Sequence, residues 1–108
     1  MKNIAIQCLL LIMIGVPALA GSQAGQITKL IVRASDGLIY FFLDGTPTGR
    51  PTCADAPYWM IKNENSNVGK QQLATLLAAR AAGQPVAVTG TGACTRWSNG
   101  EDVDSITY

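Results

Sequence analysis

Apolar positions change period along this chain, and the changes mark its elements. Ile4 to Val16 form a nearly unbroken apolar run that ends at Pro17. Between Gln26 and Ala34, the apolar run Ile27, Leu30, Ile31 and Val32, mostly β-branched, predicts a first strand. Ser35-Asp36-Gly37 marks a tight turn, because glycine tolerates the positive φ that a short hairpin needs. Leu38 to Leu43 is continuously apolar. It predicts a second strand buried on both faces, either central or covered by a helix or a neighbouring subunit. Asp44 to Pro51 is a Gly/Pro/Thr loop, and Tyr58 to Ile61 predicts a third strand.

The period then shifts from strand to helix. Gly69 to Ala82 places Leu73, Leu76, Leu77 and Ala81 on one stripe, with Lys70, Gln71, Thr75 and Arg80 elsewhere. Ser66 or Asn67 can cap its start by accepting a backbone N–H bond. Gly83 stands where a left-handed cap belongs, and Pro85 stops continuation. Pro85 to Thr91 alternates through Val86 and Val88 as a fourth strand, and Asp102 to Tyr108 predicts a fifth after the Ser98-Asn99-Gly100 turn. The order is β-β-β-α-β-β. A mostly β chain with one helix in that position fits an OB-fold-like, five-stranded Greek-key barrel.

The opening run changes the address. Lys2, the apolar stretch of about thirteen residues and Ala18-Leu19-Ala20 predict a cleaved signal peptide at 1–20; a spanning helix needs roughly 20 apolar residues. Residues 21–108 remain as a single exported domain, periplasmic or secreted, with no membrane span. Gly21 to Gly25 reads as a mobile leader of small residues. Loss of Lys2 leaves seven Lys and Arg against seven Asp and Glu. That balance argues against a nucleic-acid partner, which calls for a basic excess. Loss of Cys8 leaves Cys53 and Cys94 as a pair, and an oxidising compartment predicts a disulfide between them. The bond closes a loop of about 42 residues, which the chain-entropy account makes stabilising by about 4 kcal/mol.

Catalytic chemistry finds little footing. The chain has no histidine, so neither Ser-His-Asp nor Cys-His machinery is available, and no metal or cofactor site is predicted. Glu101, Asp102 and Asp104 match no calcium-loop spacing and read as a solvated acidic strand edge. Tyr40, Phe41 and Phe42 read as core or subunit contact. Trp59 can face either way. Trp97 lies in the polar loop Thr95 to Gly100, where it either packs over the disulfide or stands exposed to stack on sugars or anchor an interface. Trp97, Arg96 and Trp59 are therefore the candidate ligand or interface residues.

Leu73-Ala74-Thr75-Leu76-Leu77 through Ala82-Gly83-Gln84-Pro85-Val86-Ala87-Val88 is similar to the helix-to-strand junction of the subtilase cytotoxin B subunit. Size, strand order, single helix and disulfide resemble the pentameric B subunits of bacterial toxins as a class, and Ile39-Tyr40-Phe41-Phe42 fits the same family less specifically. The resemblance implies a non-catalytic homopentamer built by edge-to-edge strand pairing, with helices lining its centre. It implies recognition of a host glycan or glycoprotein and carriage of a separate catalytic subunit. Gln23 stands where that family would place a receptor-contacting serine. The competing expectation is a monomeric periplasmic OB-like protein with an envelope or inhibitor role.

Overall fold

A computed structural model describes residues 20–108; Cys8 and the predicted signal peptide, apart from Ala20, lie outside the described residues. The elements are β1 (Ser22–Gly25), β2 (Ile27–Val32), β3 (Ile39–Leu43), β4 (Trp59–Met60), α1 (Asn67–Ala82), β5 (Val86–Gly90) and β6 (Glu101–Thr107). The fold is mostly β, with one helix and a disulfide between Cys53 and Cys94.

The strands lie in the order β1-β5-β6-β4-β3-β2. The β2–β3 and β5–β6 pairs are antiparallel, whereas β4 runs parallel to β6. The turn between β2 and β3 falls where Asp36-Gly37 predicted it. Gly37 takes φ 79°, and its N–H donates to the Arg33 carbonyl at 2.8 Å.

Two expectations about the first strands need correction. Gly21 to Gly25 is no mobile leader: Ser22–Gly25 pairs with β5 along its whole length, Gly25 opposite Val86. The described residues therefore hold one more strand than predicted. Small residues suit this place, since a Cβ on Gly25 would strike the Asp44 carboxylate and the Gly45 backbone. The second strand is not buried on both faces. Ile39, Phe41 and Leu43 point into the core, while Tyr40 and Phe42 face outward and are half-buried.

The core gathers Phe41, Trp59, Ile61, Leu76, Val86 and Val88, all at most 1% exposed. Burial of such side chains stabilises by about 1.5–3 kcal/mol each. Helix α1 covers one end of it. Its Ser66 cap accepts from the Gly69 N–H at 2.9 Å, and Gly83 closes it in the left-handed conformation at φ 66°. The buried arc is Gly69, Leu76 and Ala79, with Leu73 packed beside it. Leu77 and Ala81, predicted on the core stripe, face solvent instead. Gly69 is where the helix meets the preceding loop, for a Cβ there would collide with the Asn63 carbonyl.

Candidate functional site

The outward side of β3 carries the molecule's most distinctive surface. Alternation along the strand puts Tyr40 and Phe42 on the same side, and Tyr58, just before β4, completes a cluster. The Tyr40 and Tyr58 rings lie 5.1 Å apart, Phe42 and Tyr58 5.9 Å, and Tyr40 and Phe42 6.2 Å, all tilted or edge-on. Such geometry satisfies the ring quadrupoles. The Lys29 ammonium sits 5.7 Å from the Phe42 ring, and the Arg33 guanidinium 5.9 Å from Tyr40.

Arg33 also lies 4.5 Å over the ring of Trp97. Trp97 is 43% exposed and extends this face from the loop between β5 and β6. A chain of ion pairs fixes its surroundings. Asp36 accepts from Arg33 Nε at 3.0 Å and Nη2 at 2.7 Å, and from the Leu38 N–H at 3.1 Å; the Arg33 bonds lead in holding its carboxyl at about 2. Arg96 donates to both Glu64 oxygens, at 3.1 and 2.8 Å, and to the Asp36 carbonyl at 2.8 Å. Those Arg96 bonds pull the Glu64 carboxyl below its ordinary range. Arg96 thus joins the hairpin turn, the segment before the helix and the Trp97 loop.

Trp59 belongs elsewhere. It is fully buried, its indole N–H donates to Gln23 Oε1 at 2.7 Å, and Arg50 lies 4.4 Å over its ring. As a surface contact it is corrected to a core residue, so the three candidates do not form one patch. Trp97 and Arg96 share a loop, with Arg96 as its anchor. Lys29, Arg33 and Tyr58 were missed as members of this face. The alternation of Tyr40 and Phe42 against Ile39, Phe41 and Leu43 was the available signal.

The acidic edge is corrected as well. Asp104 is exposed, but Glu101 and Asp102 are fully buried. Asp102 accepts from the backbone N–H groups of Thr95 and Arg96, both at 3.0 Å, and so organises the loop carrying Trp97. Glu101 accepts from the N–H groups of Gly21 at 2.9 Å and Gly92 at 3.0 Å, and its other oxygen lies 3.6 Å from Arg50 Nε. Arg50 also donates to the Ala56 and Tyr58 carbonyls at 2.7 Å each. Burial lowers its guanidinium below the ordinary value, and Glu101 opposes that shift. Beneath the aromatic face, these groups hold the Tyr58 backbone in place.

The disulfide clamps the same region from its rim. It joins the β3–β4 loop to the β5–β6 loop, with Cα atoms 6.1 Å apart. A separate cleft of about 240 Å³ lies between the helix start and β6, lined by Lys62, Asn63, Ser66, Gln72, Val103 and Asp104 among others. Among the described residues, no three His, Cys, Asp or Glu side chains could hold a metal ion, and no helix is long and apolar enough to cross a membrane. In comparisons with known proteins, no family model, no curated protein and no solved structure matches the chain.

Proposed function

We propose that this chain is an exported, non-catalytic binding module that takes a glycan on the face formed by Tyr40, Phe42, Tyr58 and Trp97. The observation that carries the reading is that one outer surface gathers four aromatic side chains with Lys29 and Arg33 beside them. Sugar C–H faces stack on aromatic rings, and cations beside the rings suit hydroxyl and acidic groups.

The fold supports the same reading when β1 and β2 are taken as one strand bent at Gln26. Counted so, five strands match the number an OB barrel needs, with the first pairing with the fourth by its start and with the second by its end. OB barrels bind oligosaccharides and oligonucleotides on the face of their second and third strands and in the adjoining loops. On that reading, Tyr40, Phe42, Tyr58 and Trp97 correspond to those positions. A pentamer that carries a catalytic subunit, as the toxin resemblance implies, extends this proposal.

A glycan array probed with the exported protein, followed by titration calorimetry on any hit, tests it. Trp97→Ala and Tyr40→Ala are expected to weaken binding at least about tenfold with the fold intact. No binding to any glycan would sink it. The monomeric envelope or inhibitor role is the second reading. Gln23 favours it: the residue at the toxin family's receptor position is only 6% exposed and holds Trp59. Light scattering separates the two, since a strict monomer removes the pentamer.

A further inference from the structure

The buried carboxylate of Glu101 is arranged around the point at which the exported chain is expected to begin. Gly21 is buried next to exposed Ala20, and the only polymer bond between them is the predicted cleavage site. The Gly21 nitrogen donates to Glu101 Oε2 at 2.9 Å, while the Gly21 carbonyl accepts from the Gly90 N–H at 2.8 Å. The residue is held at both ends. Glycine is required here, because a Cβ would lie 2.5 Å from Glu101 Oε1 and 2.6 Å from Arg50 Cγ. Among the described residues, buried Glu101 Oε1 has no hydrogen-bond partner, although Arg50 Nε lies 3.6 Å from it. Gly90 is also constrained, since a Cβ there would enter the Glu101 carboxylate.

We propose that removal of the signal peptide after Ala20 turns this hydrogen bond into a buried ion pair between the new α-ammonium of Gly21 and Glu101, so that the fold is completed only in the processed chain. The inference rests on the export reading above. Hydrolysis of the Ala20–Gly21 bond consumes one water. It leaves a carboxylate on Ala20 and, at neutral pH, an ammonium on Gly21. One amide hydrogen is replaced by three, and the additional ones address the oxygen that now lacks a partner. The charged groups facing the new terminus are Glu101 from β6 and Arg50 from the β3–β4 loop; β5 presents the Gly90 backbone and carries no ionisable residue. A buried carboxylate is costly unless paired and hydrogen-bonded. Among the described residues, the unprocessed chain offers that carboxylate only the Arg50 contact for charge, whereas the processed chain has two cations around it.

The sign of the pH dependence follows. An ammonium stabilised by Glu101 has a folded-state pKa above the ordinary α-amine value of about 7.7–8.0. Its contribution is complete below that ordinary value and is lost as pH rises through the raised one.

The test uses exported protein recovered from cells, with its first residue established by intact mass. A second chain carries one alanine inserted ahead of Gly21, its retention confirmed the same way. The expected melting temperature of the extended chain at neutral pH is lower by about 8 °C or more, as loss of one partner of a buried pair implies. The gap is expected to close in a Glu101→Gln background. Because that variant can fail to fold, the terminal amine of the unsubstituted protein is also titrated by its rate of acylation. Slow labelling and a midpoint above the ordinary range are expected. Should the exported chain begin at another residue, both the cleavage site and the ion pair fall. Should it begin at Gly21 but show an ordinary amine and equal melting temperatures, the ion pair alone falls.

Discussion

Asp36 does more than turn a hairpin. Its carboxylate binds Arg33, which covers the Tyr40 and Trp97 rings, and its carbonyl takes a bond from Arg96. Its carboxyl is held at about 2 against an ordinary 3.8, chiefly by the Arg33 bond. A depressed folded value contributes stability above the unfolded one, and that contribution disappears as pH falls through the folded value. The wild-type protein and Asp36→Asn are therefore expected to differ in melting temperature at about pH 6, with the difference shrinking from about pH 4 down to about pH 2. A gap that stays constant over that window would refute the coupling. The sequence identified Asp36 as a turn residue from its Asp-Gly pair. It did not reveal the Arg33 or Arg96 partners, which come from a neighbouring turn position and from sixty residues away. Glu101 and Asp102 were misjudged for a related reason. Three acidic residues in a short stretch suggest a wet edge, but neighbouring strand positions face opposite sides. One carboxylate went inward to Arg50, and the other was covered by its own loop.

Helix α1 was legible in extent, and its caps followed from Ser66 and Gly83. Its orientation was less so. Ala74, Leu77, Ala78, Ala81 and Ala82 leave the solvent side nearly as apolar as the core side, so no polar face marks which way it points. Packing decides instead, with Gly69 and Ala79 allowing the closest approach and Leu76 filling the space between them. Leu76→Ala is expected to destabilise the protein by about 2–5 kcal/mol, as a buried cavity does. Leu77→Ala, at a residue 51% exposed, is expected to change stability by no more than about 0.5 kcal/mol. Chemical denaturation of the two variants checks this, and equal losses would return Leu77 to the core. Strand β1 was missed because Ser22-Gln23-Ala24-Gly25 has no apolar alternation. Its small residues serve close approach, and its one large side chain, Gln23, spends its polar atoms on Trp59 and the Leu43 carbonyl.

At the scale of the molecule, the order of β2 to β6 around the helix, the helix itself and the disulfide were readable from turns, caps and cysteine count, whereas β1 was not. The parallel β4–β6 pair was not, since it joins segments with no local signal of partnership. The disulfide lies outside the core and ties together two loops that are 41 residues apart in sequence. Cys53→Ser is expected to lower stability by about 2–4 kcal/mol, with the same loss in Cys94→Ser and no further loss in the double variant. Calorimetry of the three proteins decides this, and additive losses would mean the two thiols act separately. The two tryptophans divide the molecule in another way. Trp59 sits in a dry interior under Arg50, whereas Trp97 stands at the surface under Arg33. Their emission should differ in colour and in access to a dissolved quencher. An acrylamide titration can therefore report on the Trp97 face while the blue component follows the integrity of the core, so one unlabelled sample separates a ligand event from unfolding.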